Sequence, residues 1–144
     1  MIVVVVDASV LVGELLRERG PALFRQPEVT VLVAEQQWEE AQHELKRRLG
    51  VLVSRGVSDD RRRELEDNVR ALVDEGTITV VAREHYAHLR DVAIRRVPRD
   101  ERDWPTVAAA LALDASILTA DADFLGCGVA TWTVETLVAE LENG

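Results

Sequence analysis

Acidic residues occur in this chain where acids are least expected. Asp7 directly follows the run Ile-Val-Val-Val-Val at residues 2–6, whose β-branched character reads as a buried strand. A second run, Ser-Ile-Leu-Thr-Ala at residues 116–120, ends in Asp121, with Asp123 two residues on. Ligands and catalytic groups of open parallel α/β sheets gather outside the carboxyl ends of the strands, so both runs deliver acids to one edge. Glu39, Glu40 and Glu44 lie on an expected helix after residues 29–33, and Asp100 and Asp103 stand at the start of an alanine-rich helix. Three or four carboxylates brought together repel one another, raise the pKa of some members and destabilise the fold. A hard divalent cation such as Mg²⁺ or Mn²⁺ resolves that conflict because it prefers oxygen ligands. Cations held by carboxylates are also a standard means of phosphodiester hydrolysis.

Each acid has a local role open to it as well. Asp7 and Asp103 are well placed to cap helices, Asp121 and Asp123 to form a turn, and helix glutamates as a class face solvent. What favours a site is the joint occurrence of the four groups. His43, His85 and His88 form no pattern of a histidine nuclease and are expected at the surface or in the core.

The elements that must position these acids alternate between strand and helix. Residues 9–19 read as a helix through Leu11, Leu15 and Leu16, stopped by Gly20-Pro21, with a short helix at 22–25. Residues 29–33 form a strand. Trp38, Ala41, Leu45 and Leu49 have helical spacing over 35–49, and Gly50 is placed to end that helix. Ser58-Asp59 caps a charged helix to residue 74, closed by Gly76. A strand at 77–81 precedes a helix at 83–96, which Pro98 breaks. Asp103-Trp104-Pro105 starts a helix continuing through 107–113, proline being tolerated in a first turn. Strands at 116–120 and 129–132 and an amphipathic helix at 134–141 complete the chain. This alternation implies a mostly parallel sheet covered on both faces.

The 144 residues fit one domain, 1–144, with no repeat or linker, and suffice for a core without disulfides. A composition of 47% hydrophobic and 30% charged residues is that of a globular protein. The opening apolar run is too short for a membrane span and lacks a basic segment ahead of it, so the expected location is the cytoplasm, away from membranes. Cys127 is the only cysteine, which excludes an intrachain disulfide and argues for a packing role. The net charge of −9 argues against holding nucleic acid by bulk electrostatics. Positive charge is nearly all arginine, clustered at 47–48, 61–63 and 95–102, where pairing with neighbouring acids on solvated helix faces is the expected role.

Four segments carry a family resemblance. Val-Val-Asp-Ala-Ser-Val-Leu-Val at 5–12, Trp-Glu-Glu-Ala at 38–41, Asp-Trp-Pro-Thr-Val-Ala-Ala-Ala at 103–110 and Leu-Thr-Ala-Asp-Ala-Asp-Phe at 118–124 resemble, in order and spacing, the four acidic motifs of PIN-domain nucleases. The resemblance spans essentially the whole chain and implies a three-layer α/β/α fold with a central, mostly parallel sheet. It further implies a Mg²⁺- or Mn²⁺-dependent ribonuclease acting on RNA, of the kind found as VapC-type toxins: homodimers silenced by an antitoxin protein. By motif, Asp7 matches the first acid, Asp103 the third and Asp121 the fourth, with Asp123 its companion. Glu40 fits the second best because Leu45 follows five positions later, while Glu39 and Glu44 stay open as alternatives, as Asp100 does to Asp103. Ser9 and Thr119 occupy the small hydroxyl positions of the first and last motifs, with local capping as the competing role. Trp104-Pro105 and the stretch 126–132 depart from the commonest pattern. The alternative to the nuclease is a catalytically silent PIN-like binding or scaffold module. A phosphoacceptor receiver domain is disfavoured because the sole lysine, Lys46, lies on a helix.

Overall fold

The computed structural model of the chain describes residues 1–17, 20–97 and 99–143. Five strands form one parallel sheet: β1 (Ile2–Val6), β2 (Val29–Ala34), β3 (Ile78–Val81), β4 (Ser116–Leu118) and β5 (Thr131–Trp132), in the order β3-β2-β1-β4-β5. The chain therefore winds outward from β1 through β2 to β3, then returns to the other side of β1 for β4. That reversal makes the β1/β4 border the switch point, where the crevice of such a sheet opens. Asp7 and Thr119 leave the two strands flanking it, with Val6 in register with Leu118 and the Asp7 N–H donating to the Leu118 carbonyl at 3.2 Å.

The continuous β-branched strands are explained by burial on both faces. Along β1, Val4 and Val6 pack into a core with α1 (Ala8–Leu16), α2 (Glu35–Ser54), α3 (Asp59–Asp74) and α6 (Val134–Asn143). Val5 points the other way, into a core with α4 (Arg90–Arg96) and α5 (Trp104–Leu113). The period-two alternation of a strand thus feeds two helical layers, and the molecule is the expected three-layer α/β/α fold. In α5, Val107 and Ala108 to Ala110 are all buried, which explains the run of alanines: a helix of small residues lies close on the sheet.

Several expected boundaries differ. Helix α2 does not stop at Gly50 but continues to Ser54, and the positive-φ stop is Gly56, at φ 106°. A glycine ends a helix only where the backbone turns left-handed, and Gly50 remains in helical geometry at the modest propensity cost of about 1 kcal/mol. The helix expected over 83–96 is broken into two 3-10 turns, Arg83–His85 and Ala87–Leu89, followed by α4. Between the turns, Tyr86 adopts φ −132° and is fully buried, its hydroxyl accepting the Gln36 N–H at 3.2 Å. Placing that ring outweighs local periodicity. The strands expected at 116–120 and 129–132 are shorter, Ser116–Leu118 and Thr131–Trp132, although the Thr119 N–H still donates to the Trp132 carbonyl at 2.9 Å. The helix expected over 9–19 already ends at Leu16, where Arg17 turns extended at φ −70° and ψ 151°. Arg19 and the break at Pro98 lie outside the described residues, while 22–25 falls within a 3-10 segment, Gly20–Arg25.

Much of the arginine clusters has the expected acidic partners: Arg47 and Arg48 meet Glu44, Arg61 meets Glu64, Arg62 meets Asp59 and Glu66, Arg99 meets Asp123 and Arg102 meets Asp100, whereas Arg96 bonds a carbonyl. Cys127 is buried in the second core, and all three histidines are exposed. Arg96 donates to the Cys127 carbonyl at 3.0 Å, and a Cβ at Gly128, which has φ 85°, would collide with that guanidinium. The 126–132 stretch is thus a pinned turn that returns the chain to pair β5 with β4. No helix of the described residues is long and apolar enough to cross a membrane.

Candidate functional site

Asp7 sits at the end of β1 as the N-cap of α1, 4% exposed. Its Oδ1 accepts the Val10 N–H at 2.8 Å and the Ser9 hydroxyl at 3.1 Å, and its Oδ2 accepts the Thr119 hydroxyl. Thr119, also buried, accepts the Asp121 N–H on the same oxygen at 3.0 Å. One threonine therefore joins the first and fourth acidic segments. Burial pushes the Asp7 carboxyl above its ordinary value; the three hydrogen bonds oppose that shift and the charge of Asp121 adds to it. Capping and membership of the acidic cluster are not alternatives for this residue, because its oxygens serve α1 and Thr119 while its charge is felt across the edge.

Asp103 decides the character of the site. It stands at the N-cap of α5 but its side chain makes no capping hydrogen bond, and its Oδ2 is buried without a partner. Its pKa is pushed up to about 7, first by burial and then by the charges of Asp100, Asp121, Asp7 and Glu40. The fold thus brings Asp7, Glu40 and Asp121, widely separated from it in sequence, within electrostatic reach of Asp103.

The rivals are occupied elsewhere. Glu44 is held to Arg47 and Arg48, whose hydrogen bonds bring its carboxyl down to about 2. Glu39 is mostly exposed and faces Arg83 at 3.9 Å. Asp100 accepts from the Arg102 backbone and guanidinium, at 3.1 Å in each case, and its pKa is lowered by those bonds. Asp123 donates its N–H to Asp121 Oδ1 at 2.8 Å and meets Arg99 at 3.4 Å, which places it behind Asp121. Among Glu39, Glu40 and Glu44, Glu40 is the one whose charge reaches Asp103.

A cavity of about 470 Å³ opens beside the acids, lined by Glu40, Glu39, His43, Arg102, Trp104 and Gln37 among others. Trp104 leans on Tyr86, ring centroids 5.7 Å apart, with Arg90 over its ring at 5.7 Å. The departure at Trp104-Pro105 is thus a wall of this cavity, with the proline at the second position of α5 where its missing N–H costs nothing. Sequence reasoning missed Gln37. It is 3% exposed and its side chain bridges two chain segments, but a lone glutamine between Gln36 and Trp38 carries no sequence signal.

Substituting Thr119 by valine keeps its shape and removes the hydroxyl, leaving Asp7 Oδ2 and the Asp121 N–H short of a partner. The unfolding free energy is expected to fall by about 1–3 kcal/mol, with serine at this position losing less. Urea denaturation checks it, and a T119V transition superimposable on that of the unaltered chain would contradict the bonding described.

A parallel sheet with acids gathered at its switch point is the α/β architecture whose candidate site lies at that edge. The profile of the PIN domain family matches residues 5–142, and the chain belongs to that family. The fold is also similar to the crystal structure of PAE2754 from Pyrobaculum aerophilum, with a TM-score of 0.65 and 19% identity over 99% of this chain and 91% of that one. No curated protein matches the chain in sequence. PIN domains are generally nucleases and typically use divalent metals.

Proposed function

We propose that the chain is a Mg²⁺- or Mn²⁺-dependent endoribonuclease whose acidic site is built from Asp7, Glu40, Asp103 and Asp121, with Asp123 in support. The observation that carries this reading is Asp103: a half-buried carboxylate with an unpartnered oxygen, its pKa raised to about 7 first by burial and then by the charges of the surrounding acids. A fold that only needed caps would gain nothing from such repulsion. The donor set is all oxygen, which fits a hard cation. When bound, the cation supplies positive charge against a scissile phosphate and acidifies water. The chain's own residues do the rest. Thr119 and the α1 N-terminus orient Asp7, and the N–H of Asp123 orients Asp121. Arg99 and Arg102, whose side chains are largely exposed beside the acids, attract the phosphate backbone that the net charge would otherwise repel.

Purified chain incubated with single-stranded RNA is expected to cleave it internally with Mn²⁺ or Mg²⁺ and not with EDTA. Glu40→Gln is expected to lose at least about tenfold in Mn²⁺ affinity, whereas Glu44→Gln and Glu39→Gln stay within about twofold. Equal losses in all three would remove Glu40 from its assignment. We extend the reading to the toxin half of a toxin–antitoxin pair, a cytoplasmic homodimer silenced by an antitoxin protein, on the strength of the motif resemblance. A neighbouring short reading frame whose product suppresses the nuclease is the corresponding test.

The silent-scaffold reading has one observation in its favour: among the described residues, no three acidic, imidazole or thiol side chains stand in a geometry that would hold an ion as they are. Manganese titration separates the two, since a scaffold shows no saturable binding at this edge.

A further inference from the structure

We infer that Gln37 is a positioning residue of the acidic site, an uncharged clip that sets the relative placement of three of its four acid-bearing segments; this rests on the metal-site reading above. Gln37 lies in the first turn of α2 and is 3% exposed. Its Oε1 accepts the Ala8 N–H at 3.0 Å, and its Nε2 donates to the Arg102 carbonyl at 3.2 Å. Ala8 directly follows Asp7, and Arg102 directly precedes Asp103. Glu40 lies three positions further along α2, on the same face as Gln37. One carboxamide thus ties together segments that are 29 and 65 residues apart in the chain.

The chemistry of the site explains why an amide belongs there. Asp7 and Glu40 each repel Asp103, so nothing in these interactions holds their segments at ligand distance. The Ala8 N–H is one of the N-terminal amides of α1 that lack an intrahelical partner, and it demands an acceptor. The Arg102 carbonyl demands a donor. A glutamine supplies one of each without charge, and its two partners dictate which end of the amide is which. Glutamate would place a further negative charge among the acids and oppose the Arg102 carbonyl; methionine would fill the space and make neither bond.

The experiment is a Mn²⁺ titration of the full chain, followed by electron paramagnetic resonance well below the melting temperature of each variant, alongside thermal melts. Saturable binding is expected in the unaltered chain, with affinity about tenfold weaker in Gln37→Met. Gln37→Glu is expected to be weaker too, although its added charge alone would tighten cation binding. That sign separates placement from electrostatics, and the second variant serves if methionine prevents folding. A folded Q37M or Q37E that binds Mn²⁺ as tightly as the unaltered chain overturns the inference, even if its melting temperature has dropped. Absence of saturable binding in the unaltered chain overturns the metal reading itself, and the clip with it.

Discussion

Asp7→Asn is expected to abolish metal-dependent RNA cleavage, by at least about 100-fold, while leaving the metal-free fold close to its original stability. The two halves of this result have different causes. Asparagine keeps Oδ1, so the Val10 N–H and the Ser9 hydroxyl retain their acceptor. Its Nδ2 can donate to the Thr119 hydroxyl oxygen, which has room for a second donor beside the Asp121 N–H. The substitution also removes a buried charge whose desolvation and repulsion by Asp121 already lift its pKa. Loss of one hydrogen-bond polarity and relief of that charge oppose each other, leaving a change within about 1 kcal/mol. What asparagine lacks is the negative charge that draws the cation. Saturating Mn²⁺, at about 100 times its Kd, should stabilise the unaltered chain by about 2.7 kcal/mol and D7N by nearly nothing. Calorimetry with and without Mn²⁺, paired with a cleavage assay, checks both halves. Full activity in D7N would sink the site assignment, and collapse of the metal-free fold would show that asparagine does not replace the bonds Asp7 makes in the folded chain.

The second large effect is a pH dependence that runs opposite to the usual acid denaturation. In the folded chain Asp103 keeps its proton to about pH 7, against an ordinary value of 3.8. Between those values the folded state binds more protons than the unfolded one, so stability falls as pH rises through the window, and the loss is complete above about pH 7. Asp7 and Glu14, both raised chiefly by burial, add in the same direction. Glu44 and Asp100, whose carboxyls lie below their ordinary values, act only in more acidic solution. Metal-free chain is therefore expected to be more stable near pH 5 than near pH 8, with Asp103 supplying on the order of 2 kcal/mol of the difference once solvent screening is allowed for. Asp103→Asn should flatten most of that slope. Saturating Mn²⁺ should reverse it, because the cation binds the deprotonated acids and so gains as protons leave. Urea denaturation at a series of pH values, with and without Mn²⁺, reads all three curves. A metal-free slope that D103N leaves untouched would mean that Asp103 is not the group responsible.

Much of this architecture was legible in the chain because its causes are local. Doubly buried parallel strands require unbroken β-branched runs, and the helices between them require spaced apolar residues, so the order of elements and the three layers follow from pattern. An acid directly after such a run can lie only at the sheet's edge, and for Asp7 and Asp121 no tertiary information was needed. The places where pattern misled are those where a distant contact overrides it. Gly50 carries a stop signal within a helix that continues to Ser54, with Leu49 and Leu52 on either side of it packed in the core. Tyr86 breaks a periodic segment to bring its ring under Trp104 and its hydroxyl to Gln36.

The choice among the helix glutamates belongs to the tertiary structure. Glu39, Glu40 and Glu44 are alike in type and share one helix, and what distinguishes them is the company each keeps: Arg83 for Glu39, Arg47 and Arg48 for Glu44, Asp103 for Glu40. The same holds for Asp100 and Asp103: Arg102 hydrogen-bonds Asp100, while Asp103 Oδ2 is left without a partner. By itself the sequence determined which strands deliver acids to one edge, because burial and periodicity are written residue by residue. Only the folded chain decided which of those acids are paired off and which are left facing one another, because electrostatic coupling depends on distances through space between segments that the sequence keeps far apart.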